Sequence, residues 1–188
     1  MVQAYPQADT EPELWILGSS DFGAQLAAHF GLPYCFAWFF TDGRGGKQAI
    51  DLYYENYKPS ERFPEPRAAL CVWCLAADTD AEAQHQYTSR AVWQLARDQG
   101  VFLPMEAPDN AANKRLNSME EARLEALREE ALVGRATDVA NKVRILADQV
   151  GVAEMAINTW AYDEDVRRKS YRLLSHAFDL TDRPAANA

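Results

Sequence analysis

Gly18-Ser19-Ser20 stands where an apolar run gives way to a helix-forming stretch, in LWILGSSDFGAQLAAHFGLP (Leu14 to Pro33). Small side chains at such a junction leave backbone amides open. The start of a helix adds unpaired N–H groups and the positive end of its dipole. Together these can seat a phosphate. The same residues also serve as a plain tight turn in which a serine caps the helix. Cys71 and Cys74 form a C-V-W-C pair, which raises redox or metal chemistry. No second such pair and no nearby histidine completes a zinc set. On a strand, residues three apart point to opposite faces, so both read as small buried hydrophobes and no metal site is expected.

Other chemistry-bearing residues are more scattered. Asp78, Asp80 and Glu82 follow an apolar run and either offer a carboxylate to a site or, more simply, cap the next helix. His29, His85 and His176 fall in helical stretches with no partner at ligand spacing. The loop DGRGG (Asp42 to Gly46) brings Arg44 as a candidate for an anionic group, but fits neither the GxxxxGK[ST] nor the GxGxxG spacing. The stretch EEARLEALREE reads as a solvated helix face laced by i,i+4 pairs.

The elements that must position these groups alternate along the chain. After a polar, proline-punctuated lead-in over residues 1–12, ELWILG reads as a short buried strand. Ser20 is the expected N-cap of the following helix, and Phe22, Leu26 and Phe30 form its apolar stripe. Gly31 and Pro33 end it. YCFAWFF (Tyr34 to Phe40) is the second strand, TDGRGG a loop, and KQAIDLYYENY a helix burying Ile50, Tyr53, Tyr54 and Tyr57. RAALCVWCLAA is the third strand, followed by a helix from Asp80 to Asp98. An irregular excursion leads to a helix opened by a Ser118–Glu121 capping box. TDVANKVRILADQVG is a helix with Val139, Val143, Leu146 and Val150 on one face. AEMAINTW is the fourth strand, DEDVRRKSYRLLSHAF the last helix, and residues 179–188 a frayed tail.

Continuous apolar strands alternating with helices predict a parallel sheet buried on both faces. Four such units are half of a (β/α)8 barrel, which usually takes about 250 residues. The 188 residues fit one domain, and 48% apolar content with five Trp, eight Tyr and eight Phe supports a substantial core. A net charge of −9 argues against nucleic-acid and anionic-membrane partners, which demand clustered Lys and Arg. No signal-peptide pattern follows Met1 and no run is long enough to span a bilayer, so the expectation is a cytoplasmic protein.

LWILGSSDFGAQLAAHFGLPYCFAWFF, with the third strand, VGRATDVANKVRILADQVGVAEMAINTW and the final helix, resembles the second half of the bacterial luciferase-like flavin-dependent monooxygenases. The resemblance implies the C-terminal half of a TIM-type barrel, with a helical insertion before the last strand. It implies reduced FMN bound at the mouth of the barrel, with molecular oxygen and a small organic substrate. By position, Ser19 would offer a backbone amide to the flavin phosphate, and Ser20 an amide and its hydroxyl. Gly23 holds a position that carries a hydroxyl in the luciferases, so here only its backbone could contribute. Trp38 falls where the luciferases place a tryptophan beside the flavin ring, although an aromatic filling the barrel core is the competing reading. The catalytic residues lie in the half that the resemblance does not cover, and none is named. Exposed sheet edges imply a homo-oligomer or a complementing barrel half, and the chemistry implies a flavin reductase as supplier. A non-catalytic FMN- or phosphate-binding half-barrel is the alternative.

Overall fold

The computed structural model describes Thr10 and residues 12–180, which divide into two compact units, residues 1–70 and 71–188. The first unit holds β1 (Ile16–Gly18), α1 (Asp21–Phe30), β2 (Tyr34–Ala37), α2 (Trp38–Thr41) and α3 (Gly46–Asn56). The unit boundary falls inside β3 (Ala68–Ala77). β1 and β2 pair in parallel, with Ile16 opposite Tyr34 and Gly18 opposite Phe36. Helix α1 joins them and packs beside α3. It ends because Gly31 turns left-handed (φ 60°), which lets the Gly31 and Leu32 amides close on the last carbonyls of the helix.

The buried face of α1 differs from the expected one. Gly23, Ala24, Ala27 and Ala28 point inward, while Phe22 and Phe30 lie exposed. Small residues win that face because the helix runs tight against the strands. A Cβ on Gly23 would already touch Gly18 Cα and the Tyr34 ring at 3.4 Å. Tyrosines of and after α3 then tie down the chain that leaves α1. Tyr53 Oη donates to the Leu32 carbonyl (3.0 Å) and accepts from the Arg67 amide (3.1 Å), and Tyr57 Oη donates to the Phe63 carbonyl (2.8 Å). Tyr53 is fully buried as expected, whereas Tyr54 is exposed on α3 and Tyr57, just beyond its end at Asn56, is half-buried.

The second strand is also shorter than its aromatic run. β2 stops at Ala37, and Trp38–Thr41 form one helical turn closed by Asp42 in the left-handed region (φ 51°). The Gly43 amide bonds back to the Trp38 carbonyl (3.1 Å), so loop closure overrides the strand preference of these residues.

The second unit holds the remainder of β3, then α4 (Asp80–Asp98), α5 (Pro108–Ala112), α6 (Ser118–Glu130), β4 (Leu132–Arg135), α7 (Ala136–Val150), β5 (Glu154–Asn158) and α8 (Glu164–Ala177). β3 pairs in parallel with β4, Cys74 opposite Leu132 and Ala77 opposite Arg135, and it also pairs with β5. β4 was not expected. Leu-Val-Gly-Arg is too short to show a period, and its pairing to β3 makes it a strand. Helix α6 opens one residue earlier than predicted, on an Asn117–Glu120 capping box, because Asn117 is the residue with extended backbone. β2 is buried throughout and β3 nearly so, as expected for a parallel sheet. β1 and β5 are not, and leave residues such as Leu17 and Glu154 exposed. At the far end, the Asp179 and Leu180 amides close the last turn of α8, and residues 181–188 of the expected tail lie outside the described residues, as does most of the lead-in.

One buried polar contact anchors α8 to β3. The Ala76 amide donates to Ser170 Oγ at 2.9 Å, and both residues are essentially inaccessible. Ser170→Ala leaves that amide without an acceptor and should destabilise the protein by about 1–3 kcal/mol, read as a lower denaturation midpoint at unchanged slope.

Candidate functional site

The Gly-Ser-Ser turn sits at the C-terminal end of β1, immediately before α1. Ser20 is the N-cap residue, with extended backbone (φ −151°, ψ 165°), but its side chain makes no capping hydrogen bond. The early amides of α1, from Asp21 to Gly23, therefore keep the orphan character of a helix start without a side-chain cap. Ser20 is exposed and Ser19 half-buried, so an incoming group can reach the turn. Gly23 is buried against Gly18 and the Tyr34 ring, which makes close packing its visible role and leaves only its amide for binding.

Tyr34 is the member of this site that the sequence reading missed. It opens β2, is fully buried, and donates from Oη to the Ser20 carbonyl at 3.3 Å. That bond ties the turn back to the neighbouring strand. Burial pushes the Tyr34 phenol up to about 12, so it stays a neutral donor across the physiological range. The signal was an aromatic residue directly after Gly-Leu-Pro, but nothing in spacing alone says that its hydroxyl returns to residue 20.

Because β1 and β2 run parallel, the loop after β2 emerges at the same end as the serine turn. Trp38 begins that loop on α2 and is half-buried. Its ring fills the space left by two glycines: a Cβ on Gly43 or Gly46 would lie 2.2 or 2.7 Å from ring atoms. The ring also stands edge-on to Phe36, centroids 6.3 Å apart. From Gly46 the contacts return to the turn, since Gln48 Nε2 donates to Asp21 Oδ2 at 3.2 Å. This bond ties Asp21, the carboxylate in the first turn of α1, to the start of α3. Thr41, the last residue of α2, has a buried Oγ1 with no hydrogen-bond partner among the described residues. An orphaned hydroxyl at this end fits a polar ligand or ordered solvent. Arg44 is exposed and its Nε donates to the Thr41 carbonyl (3.1 Å).

The other candidates resolve into structure within the second unit. Thr79, rather than a carboxylate, caps α4 by accepting from the Glu82 amide. Asp78 and Glu82 both grip Lys169, at 2.7 and 2.8 Å, and Asp80 Oδ1 accepts from the Arg135 amide at 3.1 Å. The bond from Asp78, followed by that from Glu82, holds the Lys169 ammonium above its ordinary pKa. Cys74 is fully buried and Cys71 partly so, and burial pushes both thiols up, away from the thiolate that redox or metal chemistry needs. His85 pairs with Asp109 (3.3 Å), and His29 Nδ1 lies 3.3 Å from Lys58 Nζ in the first unit. Among the described residues no group of three or more His, Cys, Asp or Glu could hold a metal, and no helix is long and apolar enough to cross a membrane.

Comparison with known proteins agrees with this architecture. Residues 1–154 match the family described as luciferase-like monooxygenase. The uncharacterized protein YwcH of Bacillus subtilis (strain 168) is 33% identical over 178 residues, covering 93% of this chain and 53% of that protein. A luciferase-like monooxygenase of Escherichia coli (strain K12) is 30% identical over 174 residues, 92% of this chain and 51% of its own length. The crystal structure of apo-MsnO8 superposes with a TM-score of 0.82 at 32% identity, covering 95% of this chain and 54% of that one. At 19% identity and a TM-score of 0.50, the oxygenating constituent of 3,6-diketocamphane monooxygenase, solved in complex with FMN, shares the fold; the match covers 87% of this chain and 46% of that one. The chain thus spans about half the length of the relatives it matches, and its parallel strand–helix units correspond to about half of their fold. It belongs to the luciferase-like monooxygenase family.

Proposed function

We propose that this chain, as one luciferase-like domain, supplies the flavin-phosphate seat of a flavin-dependent monooxygenase acting on a small organic substrate. The observation that carries the reading is the start of α1: an exposed serine at the N-cap that does not cap, above a carbonyl tied back by Tyr34. A phosphate placed there would take the amides of Ser19 and Ser20 and those of the first helical turn through Gly23, with the Ser20 hydroxyl as a further donor. Trp38 would flank the flavin ring, and Thr41 Oγ1 would find its missing partner in the same region. The FMN held by a distant protein of this fold supports the choice of FMN among flavins. When bound, reduced flavin supplies the electrons with which molecular oxygen oxidises the substrate. The chain's part is to hold the phosphate and shield the ring from water.

In a second form of the same reading, the chain binds FMN as a half-barrel and turns over only with the rest of the fold, supplied by another copy or a complementing half, with a flavin reductase upstream. β1 has one strand neighbour, β2, among the described residues, and Leu17 within it and Leu14 just before it are exposed, which is where such a completion would begin.

Titration with FMN and with riboflavin tests the seat. FMN should bind tighter than riboflavin, and Ser20→Ala should weaken FMN binding roughly tenfold while leaving riboflavin unchanged, the loss of one charge-assisted hydrogen bond. Equal binding of the two flavins, or no response to Ser20→Ala, rejects the site. Oxygen consumption with reduced FMN then separates an enzyme from a binder.

A further inference from the structure

The carbonyl of Ser20 and the N–H of Asp21 belong to one peptide unit. A trans peptide is planar and sets the two groups pointing in opposite directions, so whatever holds the carbonyl also aims the amide. The Ser20 side chain makes no capping bond, which leaves the turn without a side-chain anchor of its own. The carbonyl instead accepts from Tyr34 Oη, at 3.3 Å.

Tyr34 can hold that carbonyl in one place because its ring has nowhere else to go. It is completely inaccessible and sits in a notch that two glycines leave open. A Cβ on Gly18 would lie 3.6 Å from Tyr34 Cε2 and 3.7 Å from Oη, and one on Gly23 3.4 and 3.8 Å. The phenol is thus wedged between the end of β1 and the start of α1. Its ring also packs on Tyr53, centroids 5.6 Å apart, and the Tyr53 hydroxyl is itself pinned between the Leu32 carbonyl and the Arg67 amide. A buried phenol needs an acceptor, and the Ser20 carbonyl is the one the fold supplies. With its pKa pushed by burial to about 12, the group stays a donor at any ordinary pH.

We propose that Tyr34 is a positioning residue for the flavin phosphate: by drawing the Ser20 carbonyl toward β2, it turns the Asp21 N–H outward into the seat. This inference rests on the phosphate-seat reading above and adds to it the residue that organises the seat before any ligand arrives. An amide already aimed at the phosphate binds it without reorientation, which raises affinity. The effect is confined to the phosphate and does not extend to the flavin ring.

Amide chemical shifts during titration with inorganic phosphate test the proposal, on the wild-type chain and on Tyr34→Phe, which keeps the ring and removes only the donor. In the wild type, the amides from Ser19 to Gly23 should shift, Asp21 among them. In Tyr34→Phe the Asp21 response should fall several-fold while Phe22 and Gly23 keep theirs. The dissociation constant for FMN should rise roughly tenfold with that for riboflavin unchanged, the loss of one charge-assisted hydrogen bond. Hydrogen exchange on the wild type needs no variant: the Asp21 amide should exchange as an unprotected one and slow when phosphate is added. Protection of that amide before phosphate is added overturns the proposal. So does a full Asp21 response in Tyr34→Phe, or equal weakening of FMN and riboflavin, the mark of a residue that only supports the fold. If phosphate shifts none of the amides from Ser19 to Gly23 in the wild type, the seat reading falls and this inference with it. Shifts that are present but indifferent to Tyr34→Phe remove this inference alone.

Discussion

Gly31→Ala should destabilise the first unit by about 3–4 kcal/mol, whereas Gly45→Ala should cost only about 1–2 kcal/mol. Both glycines sit in the left-handed region, at φ 60° and 77°. The backbone penalty for an L-residue there is shared, so the difference isolates space. A Cβ on Gly45 meets nothing within 4 Å. On Gly31 it would stand 2.5 Å from the Lys58 carbonyl oxygen, 2.7 Å from Ser60 Cβ and 3.0 Å from the Ser60 amide nitrogen. Those neighbours cannot step aside cheaply. The Lys58 amide is bonded to the Ala28 carbonyl (3.0 Å), and Ser60 Oγ donates to the carbonyl of Gly31 itself (2.9 Å). Denaturant midpoints of the two variants give the comparison directly. Equal losses would mean that the segment from Lys58 to Ser60 does not press on the end of α1.

Ser20→Asp should separate stability from binding. A carboxylate at a helix start can accept the free amides that the serine leaves alone, so α1 should gain about 0.3–1 kcal/mol. The same carboxylate then occupies the phosphate seat and repels a dianion. FMN binding should fall at least about 100-fold, since like charges in contact cost several kcal/mol. Riboflavin, which lacks the phosphate, should be little affected. The opposite signs make the test sharp: a mutation that merely damaged the fold would lower both. An FMN affinity that survives Ser20→Asp would place the phosphate elsewhere.

Much of the fold was legible because local signals agreed with tertiary ones. The continuous apolar run of β3, the helix from Asp80 to Asp98 and the Gly31 end of α1 all appear where period and punctuation put them. The candidate site was legible in part. Ser19, Ser20 and Gly23 are neighbours in sequence, so their placement at the start of α1 needed only the strand-to-helix junction. Tyr34 was hidden, because its hydroxyl reaches Ser20 across two strands, a relation carried by register and not by spacing.

The sequence by itself determined the alternation of strands and helices, the small residues at the exit of β1 and the unreactive setting of Cys71 and Cys74. Those follow from period, turn chemistry and side-chain size, which act over a few residues. Tertiary structure alone decided which side of α1 is inside. Hydrophobicity favoured Phe22, Leu26 and Phe30, but the close approach of Gly18 to Gly23 leaves room only for alanine-sized groups against the strands. It likewise ended β2 at Ala37, where glycines at 43 and 46 make the space that Trp38 occupies, and made a strand of Leu132–Arg135 by pairing it with β3. Steric fit between elements distant in sequence settled each of these, and no local pattern encodes it.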